Sequence, residues 1–321
     1  MKRKFGATAE NTHVDALLSN VAINYRPEGM IADLIFPMVP VAKQSDFYSI
    51  FLRSDALRVE ESLRAPGTEA NEITREVSTA AYFAKNYALK YGVTIEDRAN
   101  ADPIFVQQLL NGRVEYIMDK LMLGWETRIA SQVTSTTNVG SSAAVASAWS
   151  DLTNADPLGD VQAGMDNIQD STGKRVKRIV FGDLAWRNFR RNTAIRNLIF
   201  GVDNGGGYPN VAQVKALLEV DDILIGGAYQ NTANEAQAEV LAQVWGDNVL
   251  LFHTPASPST EQPAFGYSFR WSAAGLPNLQ AERHPYDSRK KREEVEVGYY
   301  QGEEIVGADY GFLIADTQSS T

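Results

Sequence analysis

Between Pro103 and Val133 the apolar residues Phe105, Leu109, Leu110, Val114, Ile117, Met118, Leu121, Trp125, Ile129 and Val133 recur at three- and four-residue spacing, the pattern of one amphipathic helix. Asp102-Pro103 opens it with an N-cap oxygen and a proline at the first helical position. Such a helix spans roughly 45 Å at 1.5 Å per residue. The chain must therefore fold around a rod, and its 321 residues supply one large domain or two medium ones to cover it.

Ahead of the helix, the first fifteen residues are polar and lack apolar periodicity, so they are expected to be mobile. Their basic cluster, Lys2, Arg3 and Lys4, reads either as a solvated tail or as a contact for phosphate. From Ala16 to Val41 the apolar residues come in bursts, Ala16-Leu17-Leu18, Val21-Ala22-Ile23, Met30-Ile31-Ala32 and Leu34-Ile35-Phe36, broken by Pro27, Pro37 and Pro40. Each proline removes a backbone donor and fixes φ, so an extended arm with apolar anchors is expected.

The stretch from Phe47 to Ile95 reads as two long strands joined by a turn. Tyr87, Leu89, Tyr91, Val93 and Ile95 alternate at a period near two, and Ala65-Pro66-Gly67-Thr68 supplies the proline and glycine of a tight turn. Residues 58–76 are mostly charged or small, so this hairpin has little to bury and is expected to project from the body. Its charged residues, Arg58, Glu60, Glu61, Arg64, Glu69, Glu72, Arg75 and Glu76, suit polar contacts with another subunit.

After the helix, residues 134–150 read as a loop with a short strand, and Asp156-Pro157 opens a second helix that closes near Gly173. Strands are expected at 178–182, 222–226, 240–245, 249–252, 265–271, 293–299 and 311–315. Helices are expected from Asp183, as cap, to about Arg191 and from Val211 to Leu218. The class is α+β.

Chemistry finds little to rest on. The chain has no cysteine, which excludes disulfides, thiolate zinc sites and cysteine nucleophiles. His13, His253 and His284 lie in unrelated segments, and Gly266-Tyr267-Ser268-Phe269-Arg270 lacks the last glycine of a nucleophile elbow. Gly205-Gly206-Gly207 has no lysine and hydroxyl pair after it and reads as a loop. The acidic pairs Glu60-Glu61, Glu293-Glu294 and Glu303-Glu304 point opposite ways on a strand and read as solvated faces. No catalytic residue, cofactor or metal is expected. A formal charge of -10 argues against a subunit that grips nucleic acid over a broad face. No apolar run is long enough to cross a membrane, and residues 1–6 lead into no signal-peptide core. Arm and hairpin both expose surface that only another chain covers, which points to assembly.

That order of parts resembles the tailed-phage major capsid proteins of the Hong Kong 97 type. Ala22-Ile23-Asn24-Tyr25-Arg26 leading to Met30-Ile31-Ala32-Asp33-Leu34-Ile35-Phe36-Pro37 is similar to the N-terminal arm of one large subgroup. Similar too are Asp222-Ile223-Leu224-Ile225-Gly226, the pair Val244-Trp245-Gly246 and Leu250-Leu251-Phe252, and Phe265-Gly266-Tyr267-Ser268-Phe269. The resemblance implies an N-terminal arm over 1–47, an extended β-hairpin loop over 48–95 and a peripheral domain with a long spine helix over 96–175. An axial mixed α/β domain over 176–290 and C-terminal strands over 291–321 would complete the chain.

By the same resemblance the chain is a non-enzymatic shell subunit that forms pentamers and hexamers around a double-stranded DNA genome. It would be assembled in the bacterial cytoplasm and reside in the virion capsid. Implied partners are copies of itself, a scaffold protein, a portal, decoration proteins and, weakly on the inner face, packaged DNA, with Lys2, Arg3 and Lys4 facing the lumen. An encapsulin-like bacterial compartment is the alternative within the architecture, and a soluble α/β enzyme the alternative outside it. Some relatives weld their shells through a lysine of the extended loop, but no lysine lies between Lys43 and Lys85, so shells without covalent links are expected.

Overall fold

The computed structural model describes residues 13–51, 57–73, 77–100, 106–201, 207–255, 257, 262, 264–272 and 279–318. In chain order it begins with β1 (His13–Val14), α1 (Ala16–Asn24), α2 (Ala32–Ile35), β2 (Met38–Val41), β3 (Ser45–Phe51), β4 (Val77–Phe83) and β5 (Lys85–Thr94). Then come α3 (Ile95–Asn100), α4 (Val106–Val133), β6 (Ser141–Ala144), α5 (Pro157–Thr172), β7 (Arg178–Gly182), α6 (Asp183–Arg191), α7 (Thr193–Phe200) and α8 (Val211–Leu218). The remainder is strands: β8 (Asp222–Gly226), β9 (Tyr229–Asn231), β10 (Leu241–Gln243), β11 (Val249–Phe252), β12 (Gly266–Trp271), β13 (Gln280–Asp287), β14 (Arg292–Ile305) and β15 (Gly311–Ala315).

The rod expected from the sequence is α4, whose 28 residues extend roughly 42 Å at 1.5 Å each; Asp102 and Pro103 lie outside the described residues. Its two ends serve two cores. Leu110, Val114, Ile117, Met118 and Leu121 pack with Val295, Val297 and Tyr299 of β14. A few turns later Trp125, Ile129, Ala130 and Val133 pack with Phe36, Leu250, Phe252 and Leu313. A stripe that drifts around a straight helix serves both faces.

The first core belongs to a six-stranded sheet in which β14 is central. β5 runs antiparallel along one edge of β14, β13 and β12 share the other, β1 pairs with β13, and β2 lies parallel to β12. The second sheet has the order β6-β15-β11-β7-β8. Helices α5 to α8 cover it through a cluster that includes Val161, Ile168, Phe181, Phe189, Val214 and Leu251. There α5 follows its sequence cues: Asp156 accepts from the Gly159 amide at 3.0 Å, Pro157 takes the first turn, and Gly173 ends the helix at φ 67°. Among the described residues, no helix is long and apolar enough to cross a membrane.

Several expectations are corrected. The arm is not extended from its start: residues 16–24 form α1, capped by Asp15, whose carboxylate accepts from the Leu17 and Leu18 amides at 3.0 and 3.2 Å. The prolines that suggested an extended chain lie beyond this helix, and Leu18 and Ala22 bury its inner face against α4. Nor are residues 13–15 loose, because His13 and Val14 pair with Arg283 and Glu282 of β13; residues 1–12 lie outside the described ones. The hairpin is formed by β3 and β4, from Ser45↔Phe83 to Phe51↔Val77. The alternating residues 87–94 belong instead to β5 on β14, where Val93 finds the buried face that its period requires, while Ile95 opens α3.

Asp183 is the first residue of α6 and not its cap; Gly182 holds the cap position, and the Asp183 carboxylate pairs with Arg187 one turn on. The expected strand at 240–245 shortens to β10, which pairs with β9. Glu293, Glu294 and Glu303 are not solvated: their side chains are 19%, 12% and 5% exposed and engage arginine and lysine partners.

Candidate assembly surface

The hairpin of β3 and β4 is fastened at its base. Tyr48 and Tyr82 stack on Phe269 of β12, with ring centroids 5.3 and 4.6 Å apart, and Val39, Ala264 and Tyr267 complete this cluster. The Tyr82 hydroxyl donates to the Lys43 carbonyl at 3.1 Å. At the tip, the Thr68 amide donates to the Ala65 carbonyl at 3.2 Å with Gly67 at φ 84°, the turn that Pro66-Gly67 foretells.

Every described residue from Leu57 to Ile73 is exposed. Arg58, Glu60, Glu61, Arg64, Glu69 and Glu72 all stand in this segment, while Arg75 and Glu76 lie outside the described residues, as do Lys2, Arg3 and Lys4. Local bonds shape it: Asn71 donates to the Glu61 carbonyl at 2.9 Å, Arg64 donates to the Thr68 carbonyl, and Arg58 lies 3.9 Å from Glu60. Leu57 also meets the body, beside Gly173.

Sequence reasoning undervalued the apolar side of this tip. Val59, Leu63 and Ile73 are 95%, 85% and 74% exposed, and Phe47 near the base is 71% exposed. Apolar residues raised on a projecting hairpin, with charges around them, form a surface suited to cover by another chain. Their signal was present as three large aliphatic residues inside a charged run.

Below the hairpin, a polar cleft of about 410 Å³ opens between α4 and β14, lined by Lys85, Arg128, Gln132, Glu303 and Glu304 among others. Arg128 bridges its walls, with its guanidinium 3.7 Å from the Tyr87 ring centroid and 2.8 Å from Glu303. Burial pushes the Glu304 carboxyl above its ordinary value, and the neighbouring Glu303 adds to the effect.

Glu126 on α4 is buried, and sequence reasoning passed over it. It accepts from the amides of Ile31 and Ala32 at 3.0 and 2.8 Å and from the Trp245 indole at 2.6 Å. Burial raises its pKa, against the pull of these donors.

Nothing catalytic converges among the described residues. His253 bonds to the Arg175 carbonyl at 2.8 Å, and His284 to Glu296 at 3.1 Å. No group of three metal-ligating side chains forms there. Gly205 and Gly206 lie outside the described residues.

No family model matches the chain. It is 23% identical over 313 residues to the major capsid protein of Burkholderia phage BcepMu, covering 94% of this chain and 96% of that protein. Among solved structures, a phage-related protein from Bordetella bronchiseptica superposes with a TM-score of 0.74 at 24% identity, over 95% of this chain and 98% of the other. The capsid structure of cyanophage P-SCSP1u superposes with a TM-score of 0.54 at 13% identity, over 87% and 86%. The chain has the Hong Kong 97 type capsid fold. Within it α4 has the length and the place in the order of elements expected of the spine helix, and β3 and β4 form a hairpin with an exposed tip.

Proposed function

We propose that the chain is the structural subunit of an icosahedral phage shell and acts by binding copies of itself. The observation that carries this reading is the end-to-end alignment with a phage major capsid protein, 94% of one chain against 96% of the other. The extended-loop tip supports it: its exposed apolar and charged residues have nothing to cover them within one subunit.

In finer terms, the subunits close as pentamers and hexamers around double-stranded DNA, with scaffold, portal and decoration proteins as partners during assembly in the host cytoplasm. Residues 1–47 act as the arm, 48–95 as the extended loop together with the strand β5 that returns from it to the sheet, 96–175 as the peripheral domain, 176–290 as the axial domain and 291–321 as returning strands. Arg58, Glu60, Glu61, Arg64, Glu69, Glu72, Arg75 and Glu76 contact a neighbouring subunit, and Lys2, Arg3 and Lys4 meet DNA or scaffold in the lumen. With no lysine between Lys43 and Lys85, the contacts are non-covalent.

Sizing followed by negative-stain imaging of the purified protein tests this. Closed particles of uniform diameter are expected, alone or with scaffold co-expressed. A monodisperse small oligomer under both conditions overturns the reading.

A further inference from the structure

Glu126 stands in the last third of the spine helix, with Met122 one turn before it and Ala130 one turn after it, beside the apolar Trp125 and Ile129. Its carboxylate gathers donors from two distant parts of the chain. The amides of Ile31 and Ala32 belong to the start of α2, where Ile31 is the N-cap residue and has no side-chain acceptor to offer. Without Glu126, these would be orphan donors in a buried helix end. The Trp245 indole comes from the turn between β10 and β11, and its ring fills the space over Gly226 of β8, where a Cβ would fall 2.2 Å from the ring. One carboxylate therefore touches the arm, the spine helix and the five-stranded sheet.

A buried charge is an expensive way to join three elements, since well-packed apolar side chains do so without desolvating an ion. What the carboxylate adds is mutual dependence. Removing the arm strips the carboxylate of its backbone donors and leaves it with the indole alone. It must then draw water through the adjoining cleft of about 710 Å³, which it lines together with Arg26, Asp33, Trp125 and Arg270. Loosening Trp245 has the converse effect, because the remaining charge is less well satisfied and its hold on the α2 amides is disturbed.

We propose that Glu126 is a latch that couples docking of the N-terminal arm to the packing of Trp245 on the five-stranded sheet, so that neither contact loosens alone. The arm and the sheet thus report on each other through a residue that neither contains. The inference concerns one subunit and stands whether or not the shell reading holds.

Amide hydrogen exchange by mass spectrometry on the full chain tests the coupling, with peptides covering 25–41, 106–133 and 244–252. Trp245→Phe keeps an aromatic ring and removes the donor; it is expected to speed exchange over 25–41 by about fivefold or more while leaving 106–133 slow. Leu250→Val, a change in the same core cluster without a bond to Glu126, is expected to leave 25–41 unchanged. In a Glu126→Leu background the arm exchanges faster from the outset, and adding Trp245→Phe produces no further increase there. Should Glu126→Leu fail to fold, Glu126→Gln, which retains one acceptor oxygen, takes its place in the cycle. The latch is overturned if Trp245→Phe leaves the arm's exchange unaltered, if its effect on the arm survives undiminished without Glu126, or if Leu250→Val loosens the arm equally.

Discussion

Tyr82 of the β3–β4 hairpin lies stacked on Phe269 of β12, with ring centroids 4.6 Å apart and planes 23° from parallel. The loop thus has a buried foot and an exposed tip, and the two should respond differently to substitution. Tyr82→Ala is expected to lower stability by roughly 3 kcal/mol, the scale of truncating a buried aromatic. It should also hasten tryptic cleavage at Arg58 and Arg64. Tyr82→Phe, which loses only the bond to the Lys43 carbonyl, should cost about 1 kcal/mol. Equal effects of the two variants would show that the ring contact does not anchor the loop.

The tip should behave in the opposite way. Replacing residues 58–76 by a short glycine-containing turn, or only Val59, Leu63 and Ile73 by serine, is expected to leave circular dichroism and melting near those of the parent, because exposed positions usually shift stability by no more than about 0.5 kcal/mol. Closed particles should fail to form or should fall apart at moderate salt. Single charge reversals in the tip should do little, since an exposed ion pair is worth about 0 to 1 kcal/mol. Shells as robust as the parent's, imaged after either replacement, would remove the tip from the assembly contact.

Glu294 gives the acid limb of the stability curve a definite sign. Hydrogen bonds from Lys90 and Arg292 hold its carboxyl at about 2, below the ordinary 4.5. The folded state therefore binds fewer protons than the unfolded one between these values, so the stabilisation is full above 4.5 and is lost as pH falls toward 2. Urea midpoints measured across this window should fall less steeply for Glu294→Gln than for the parent. Parallel curves would contradict the assigned ion pairs.

Gly182 is fixed by its neighbour's backbone. A Cβ there would lie 2.2 Å from the Gly246 carbonyl oxygen, an atom that cannot swing aside as a side chain can. Gly182→Ala should therefore destabilise by at least about 2 kcal/mol, or prevent soluble expression. An unchanged melting temperature would show that the β7–α6 turn can spread.

Much of this architecture is legible in the residues because its cues are local. Asp156, Pro157 and Gly173 mark both ends of α5, and the apolar runs of β7, β8, β11 and β15 announce strands buried on both faces. The arm misled because prolines at 27, 37 and 40 govern their own neighbourhood and not the nine residues of α1 upstream. β13 went unseen because Gln280–Asp287 is largely polar, carries a proline and shifts register between His284 and Asp287, so its strand character comes from pairing with β14. The tip's charges were visible at once. Glu126 was not, although an acid flanked at four residues on either side by Met122 and Ala130 was a readable hint.

Strand β15 sits between β6 and β11, yet it is made after every other strand of its sheet. While a subunit is still being synthesised, β11 and β6 wait with unpaired edges, and the seats of Phe312, Leu313 and Ile314 stand empty until residues 311–315 clear the ribosome. A polypeptide cut short by premature termination cannot complete this sheet and stays a substrate for proteolysis. Translation order thus makes the last strand the keystone of its sheet: synthesis through residue 315 is the condition for joining β6 to β11.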